Sequence, residues 1–270
     1  MRWEAWAAGV LAVFVFPGVA CSQGWNGGRL KLETERAVVE YEDGDLSGAE
    51  ADAFLKLADH GVADIEALVL PGLPEWAQNR GRVRFVVTSR VPISRTYGRT
   101  VALPLSRVRT RSAPYLHETV HALVPSRGER VWLSEGLASY LESWVSENRG
   151  GYDAHVFTRA GDRGIHQAAR RYLGSEQGRA VLPWVRASGE PPGMEEDRTG
   201  VARPFYMLSQ SLTKHVVDAA GLASVVRALA GGAPDGLRQA TGRSDEDWKR
   251  EWLRAIGAPA LADGSLATGR

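Results

Sequence analysis

The pentapeptide His117 to His121, HETVH, constrains this 270-residue chain more than any other stretch. Residues four apart on a helix project from one face, with Cβ atoms about 5–6 Å apart. His117 and His121 can therefore bind one metal ion, and Glu118 can reach a water molecule beside that ion. The pattern H-E-x-x-H is typical of zinc hydrolases. The alternative is that both histidines are ordinary helix residues packed against their neighbours.

The surrounding sequence predicts a helix that carries these histidines. Ser112 is a candidate N-cap, and Pro114 suits a first helical turn. Leu116, Val120 and Leu123 recur at spacings of four and three residues, so the helix has its own apolar stripe. The histidines lie beside that stripe, which favours the metal-binding interpretation.

A third ligand is needed, because catalytic zinc usually has three protein ligands and one position for water. Our candidate is Glu135, which follows His121 by fourteen residues in the sequence WLSEG. We predict that Glu135 opens a second helix, which has an apolar stripe of Leu133, Leu137, Leu141 and Trp144. Two crossing helices would then bring one carboxylate to two imidazoles.

HETVH followed by WLSEGLASYLE resembles the gluzincin metallopeptidases, in particular the peptidase MA-like group distantly related to thermolysin and the alanyl aminopeptidases. The resemblance implies a thermolysin-like zincin fold of the α+β class, with a small N-terminal mixed sheet and a mostly helical C-terminal half. It also implies one Zn²⁺ ion bound by His117, His121 and Glu135, with Glu118 as the general base. More weakly, the resemblance extends over about residues 30–257.

Two departures limit what the resemblance implies. Thirteen residues separate His121 from Glu135, fewer than in the larger aminopeptidases, so the connection between the two helices is short. The G-x-M-E-N motif with which aminopeptidases hold a substrate's amino terminus is absent upstream. The segment Gly193-Met194-Glu195-Glu196 lies downstream and is only superficially similar. Aminopeptidase activity is therefore not implied.

The resemblance also points to Tyr206. The aminopeptidase relatives place a tyrosine hydroxyl on the oxyanion at a similar distance after the glutamate ligand, which is 71 residues here. The alternative is a tyrosine that only packs at the start of a helix, which we predict from Pro204 to a stop at Gly221.

Four further histidines lie outside any motif: His60, His155, His166 and His215. We interpret the first as a surface or helix-end residue and the last as structural. The middle two are weaker candidates for a hydrogen bond to a tetrahedral intermediate.

Residues 1–21 predict an export signal. Arg2 gives a weakly basic start, residues 5–16 form an apolar run, and Gly18-Val19-Ala20 supplies small residues before a cut. Cys21 is the only cysteine of the chain, so it cannot form an internal disulfide. Its position resembles the lipidated cysteine of a bacterial lipoprotein, which would attach the protein to a membrane. Plain secretion and an uncleaved anchor are the alternatives.

The rest of the chain divides into four predicted parts. Residues 22–28 are a glycine-rich tether, and residues 29–124 are a sheet-containing subdomain that ends with the HETVH helix. Residues 125–257 are a helical subdomain with the glutamate ligand, and residues 258–270 are a flexible tail. The net charge of +1 argues against nucleic acid as a partner. We expect a monomer, in the bacterial cell envelope or secreted, that acts on a peptide or protein.

Hydrophobic periodicity predicts the elements of these subdomains. They are a strand or hairpin at 30–41, a helix at 49–70 interrupted near Gly61, strands at 82–88 and 100–105, short helices between 147 and 203 that cover the site, and helices at 222–229 and 244–256. Ser244 and Asp247 have the spacing of a helix N-terminal capping pair.

The strand at 100–105 carries a further expectation. In thermolysin-like folds the strand before the zinc helix is a sheet edge that pairs with extended substrate. Pro104 suits such an edge, because proline is tolerated there. We therefore expect substrate to dock along residues 98–105.

A rival interpretation belongs to another class of protein. The chain could be a catalytically silent, envelope-anchored binding or assembly protein that keeps the metallopeptidase fold. The intact ligands and base count against this interpretation, although a lid over residues 150–200 could still exclude substrates. Chelator-sensitive cleavage of a protein substrate distinguishes the two classes, and the motifs leave endopeptidase and exopeptidase activity equally open.

Overall fold

A computed structural model describes residues 28–78, 81–126, 130–152, 164–187, 189–191, 200–258 and 261. The predicted export signal, Cys21, nearly all of the tether and most of the tail lie outside the described residues, as do His155 and the segment 193–196. No helix within the described ranges combines the length and apolar character needed to span a bilayer.

Five short strands of the described chain form one mixed sheet in the order β1-β2-β3-β5-β4. Their bounds are β1 Arg29–Glu33, β2 Ala37–Glu42, β3 Val83–Thr88, β4 Arg95–Tyr97 and β5 Thr100–Pro104. Strands β1 and β2 form an antiparallel hairpin, one of the two predicted alternatives. The pairs β2–β3 and β3–β5 are parallel, and β4 is antiparallel to β5.

The strand before the HETVH helix is not the edge of this sheet, so the edge position expected for this strand, on which docking along residues 98–105 depended, is wrong. Strand β5 lies between β3 and β4, and β4 is the edge. Periodicity did not predict β4, because three residues are too few to show an alternation. Pro104 is accommodated at the end of β5, where it pairs with Thr88 and lies beyond Ala102, the last β5 residue opposite β4.

The described chain also contains ten α-helices and two 3₁₀ turns. The helices are α1 Gly48–Val69, α2 Leu105–Arg109, α3 Tyr115–Leu123, α4 Val131–Asn148, α5 Ile165–Leu173, α6 Glu176–Ala187, α7 Ala202–Ala220, α8 Leu222–Gly231, α9 Gly236–Thr241 and α10 Asp245–Ala255, and the turns are Leu70–Gly72 and Glu75–Ala77. The α+β class, the small mixed sheet and the mostly helical C-terminal half are confirmed. Helix α10 begins with the predicted Ser244–Asp247 capping box.

The starts of α3 and α4 differ from the prediction. Pro114 occupies the N-cap position of α3 without a side-chain cap, and the Ser112 hydroxyl instead lies 2.8 Å from the Thr110 hydroxyl. Helix α4 begins at Val131, so Glu135 lies in its second turn and does not open the helix. The extra turn forms because the Arg130 carbonyl oxygen accepts hydrogen bonds from the backbone N–H groups of Leu133 and Ser134, each at 3.0 Å.

Helix α3 packs closely against α1 and buries its apolar stripe in the core. Helix α1 passes Gly61 without the predicted interruption, and a β-carbon there would lie 2.8 Å from Leu116 Cδ2. Gly61 therefore allows α1 to approach α3 closely. The predicted stripe of Leu116, Val120 and Leu123 is buried. One continuous core runs from β2 to α10, so the two predicted subdomains share it.

Helices α4 and α7 cross at Gly136. A β-carbon there would overlap the Thr213 hydroxyl and the Ser209 carbonyl oxygen, both on α7. Only glycine fits this crossing without a shift of one helix. Because Glu135 precedes Gly136, and Tyr206 lies on α7, the close crossing brings the candidate ligand and the candidate oxyanion donor to one region.

We expect Gly136→Ala to lower the free energy of unfolding by about 1–3 kcal/mol, the usual range for overpacking. Gly231→Ala on α8 is the matched control, because no atom lies within 4 Å of a β-carbon built at that helical glycine. The control should show no loss, since alanine favours helix more than glycine does. Chemical denaturation measures both variants, and equal stabilities would contradict the role of Gly136.

Candidate metal centre

Three side chains from α3 and α4 converge on one point. His117 Nε2 lies 3.1 Å from Glu135 Oε2 and 3.2 Å from His121 Nε2, and His121 Nε2 lies 3.4 Å from Glu135 Oε2. Tetrahedral zinc with bonds of about 2.0–2.1 Å separates its ligand atoms by about 3.3–3.4 Å. Within the described ranges, this is the one group of three or more His, Cys, Asp or Glu side chains placed to hold a metal ion.

Local helix geometry and one hydroxyl orient the two imidazoles. The His117 and His121 rings lie 4.9 Å apart at 70°, as expected for residues one turn apart. Ser134 Oγ lies 3.3 Å from His121 Nδ1. A proton on Nδ1, donated to this hydroxyl, leaves the Nε2 lone pair directed at the other two ligand atoms. The three side chains are 11–19% exposed, so an ion can reach them.

The charges around the cluster favour a cation between its members. Burial lowers the pKa of His117, but the hydrogen bond and charge of Glu135, with the charges of Glu142 and Glu118, outweigh burial and raise that pKa to about 9. Burial raises the pKa of Glu135, but His121 and His117 outweigh it and hold that pKa well below its usual range. At neutral pH a proton on His117 therefore balances part of the surrounding negative charge.

Zinc binding to the metal-free protein should release at least one proton at pH 7.5. A ligating imidazole is neutral, whereas His117 with a pKa of about 9 is still protonated at that pH. The affinity for zinc should therefore rise at least about tenfold per pH unit between about pH 7 and pH 9. Titration calorimetry in buffers of different ionisation enthalpy counts the protons, and a count of zero at pH 7.5 would contradict the assigned protonation.

Glu118 lies beside the cluster, and its carboxylate accepts a hydrogen bond from a residue of the sheet. The side chain is 7% exposed. Thr96 Oγ1, on the edge strand β4, donates a hydrogen bond of 2.6 Å to Glu118 Oε2 and lies 3.3 Å from the Glu118 carbonyl oxygen. The charge of Glu118 contributes to the raised pKa of His117, so the carboxylate acts on the same region as the three candidate ligands.

Tyr206 also lies beside the cluster. Its ring centre is 5.7 Å from that of His117, at 85°. Burial, followed by the charges of Glu135 and Glu118, raises the pKa of Tyr206 well above its usual value. The phenol therefore keeps its proton at neutral pH and can act as a hydrogen-bond donor.

The other described histidines, His60, His166 and His215, are not part of the cluster. His60 lies on the exposed side of α1. His166 Nδ1 lies 2.8 Å from the Ser211 hydroxyl. The His215 ring packs edge-on against Trp248 at 5.9 Å, and burial lowers the pKa of His215. These contacts agree with the structural role we expected for His215.

Sequence reasoning missed three residues of the site: Thr96, Ser134 and Glu142. Glu142 is 2% exposed and follows Glu135 by two helical turns, so a helical projection could have revealed it. Ser134 is adjacent to Glu135, within the motif itself. Thr96 has no local signal, because the register of β4 alone brings it to α3.

Comparison of the chain with known protein families, curated proteins and solved structures finds no match. What the centre can do therefore follows from its own atoms: two imidazole nitrogens, a carboxylate oxygen, a second carboxylate beside them and a protonated phenol.

Proposed function

We propose that this chain is an exported, zinc-dependent metallopeptidase of the gluzincin type, with a thermolysin-like zincin fold. The observation that carries the proposal is the triangle formed by His117 Nε2, His121 Nε2 and Glu135 Oε2, with sides of 3.1–3.4 Å. Two nitrogens and one carboxylate oxygen match the ligands of catalytic zinc and leave a fourth position for water.

A zinc ion held there would supply a Lewis acid that lowers the pKa of water towards neutrality and polarises a peptide carbonyl. The protein's own groups would supply the proton transfers. Glu118 would accept a proton from the attacking water and later deliver it to the leaving amine. Tyr206 would donate a hydrogen bond to the developing oxyanion, since a tyrosine phenol is protonated at neutral pH.

The edge strand β4 supports a peptide as the substrate. No other described strand pairs with its outer side. Thr96 of this strand contacts Glu118, and its neighbour Tyr97 is 63% exposed. An extended peptide added to the free side of β4 would continue the sheet close to Glu118. We therefore propose β4, and not residues 98–105, as the docking strand.

Export remains part of the proposal on the basis of residues 1–21. Cys21 would be the lipidated residue and would hold the protein at a membrane. Plain secretion is the alternative for the same segment, and a monomer acting on peptides or proteins is the proposed form in both cases. The net charge of +1 agrees with a partner other than nucleic acid.

The test is cleavage of a peptide library and a denatured protein by the zinc-loaded chain, with products identified by mass spectrometry. We expect cleavage that a chelator stops and that one equivalent of zinc restores. Folded, zinc-loaded protein that cleaves nothing would refute the peptidase and support the silent binding protein.

A further inference from the structure

The side chain of Glu118 has a specific partner outside its own helix. Thr96 reaches it from β4, a strand with the sequence Arg-Thr-Tyr that no motif marks. We propose that Thr96 is a positioning residue that holds the Glu118 carboxylate in the orientation needed to act as a base. The proposal rests on the proposed function, because it assigns a role within the same site.

The two distances decide which oxygen receives the single proton of the Thr96 hydroxyl. The Glu118 carboxylate oxygen Oε2 is at 2.6 Å, whereas the Glu118 carbonyl oxygen is at 3.3 Å. A hydrogen bond to a charged acceptor is both shorter and stronger, so the hydroxyl donates to Oε2. The other carboxylate oxygen, Oε1, is then left to exchange a proton with water and with the leaving amine.

The register of the sheet gives this contact its rigidity. Thr96 pairs with Val101 of β5, and the buried Val101 side chain marks the face of the sheet that packs against the core. Thr96 therefore projects from that face towards α3, whereas its neighbours Arg95 and Tyr97 project from the opposite face. A long glutamate side chain that is 7% exposed is thus fixed by a short side chain on a paired strand.

Three variants test the role. Thr96→Val keeps the β-branched shape and removes the hydroxyl, and Thr96→Ser keeps the hydroxyl. Thr100→Val is the matched control, because Thr100 pairs with Tyr97 and projects from the opposite face of the sheet. We expect Thr96→Val to lower kcat about ten- to a hundredfold, the effect of losing a hydrogen bond to a charged group. KM, zinc content and Tm should stay close to wild type, while Thr96→Ser and Thr100→Val should keep kcat within about threefold of wild type.

The kinetic outcomes separate positioning from mere packing. A Thr96→Val variant with wild-type kcat would overturn the proposal. So would a Thr96→Ser variant as impaired as Thr96→Val, or a loss of zinc and Tm that parallels the loss of kcat. A fall in kcat alone, recovered by serine, supports it.

A binding measurement gives a readout that does not depend on turnover. Acetohydroxamate bound to the zinc-loaded protein would donate its hydroxyl proton to Glu118, so Thr96→Val should weaken its affinity about tenfold, and Thr96→Ser and Thr100→Val should not. If the wild type cleaves nothing and this pattern still appears, the peptidase is refuted, whereas the hydrogen bond by which Thr96 orients the Glu118 carboxylate stands. Equal affinities of wild type and Thr96→Val overturn the role of Thr96 whether or not the wild type cleaves peptides.

Discussion

Glu118→Gln should abolish peptide hydrolysis and leave zinc bound. Glutamine has the shape of glutamate, and its carbonyl oxygen can still accept the hydrogen bond from Thr96, but its amide cannot take up a proton at neutral pH. We expect kcat to fall at least about a thousandfold, within the range attributed to general acid–base groups. Zinc should stay because the three ligand atoms, 3.1–3.4 Å apart, belong to other residues.

Parallel measurements of kcat, metal content and Tm test this prediction. Glu147→Gln is the control, since it removes an exposed carboxylate from the last turns of α4 and should leave all three quantities unchanged. A Glu118→Gln enzyme that keeps more than about a tenth of the wild-type kcat would refute the assignment of the base.

Glu135→Ala should instead weaken the binding of zinc. Structural zinc sites bind with about 10–16 kcal/mol shared among four ligands, so one ligand accounts for about 2.5–4 kcal/mol. The affinity for zinc should therefore fall about a hundred- to a thousandfold, and hydrolysis at low zinc should disappear with it. The negative charge that supports the raised pKa of His117 is also lost, so the pH dependence of zinc binding should shift to lower pH.

Competition with a chromophoric chelator measures the affinities, again with Glu147→Gln as the control. The two variants should be inactive for different reasons. Glu118→Gln should bind zinc but lack the general base, whereas Glu135→Ala should bind no zinc at low zinc concentration. Full zinc occupancy in Glu135→Ala at nanomolar free zinc would assign the third ligand to another residue.

The sequence predicted best what depends on helical repeats. His117 and His121 are one turn apart, and such a spacing fixes their relative position whatever the tertiary fold. The apolar stripe of α3 and the Ser244–Asp247 capping box depend equally on local geometry, and the structure contains both. The approach of Glu135 to the histidines depends on how two helices pack against each other. The connection between these amphipathic helices is short, and it therefore allows few relative positions of the two helices.

The features that the sequence did not predict depend on contacts between distant segments. Strand β4 is three residues long, so neither its existence nor the inward direction of Thr96 leaves a periodic pattern. The prediction that the helix is interrupted at Gly61 was wrong for a related reason. The glycine there serves a close helix crossing with Leu116, and glycine in a helical pattern looks the same whether it breaks the helix or allows a neighbour to approach.

The short length of β4 limits the affinity that backbone pairing with this strand can provide. Strand Arg95–Tyr97 can offer an added chain only a few backbone hydrogen bonds, each worth about 1 kcal/mol net. Backbone pairing alone would then retain a ligand no more tightly than the millimolar range. In the proposed peptidase, selectivity would then come from the contacts that a substrate's side chains make around Tyr97, and substrates held at the same surface would be cleaved in preference to freely diffusing ones.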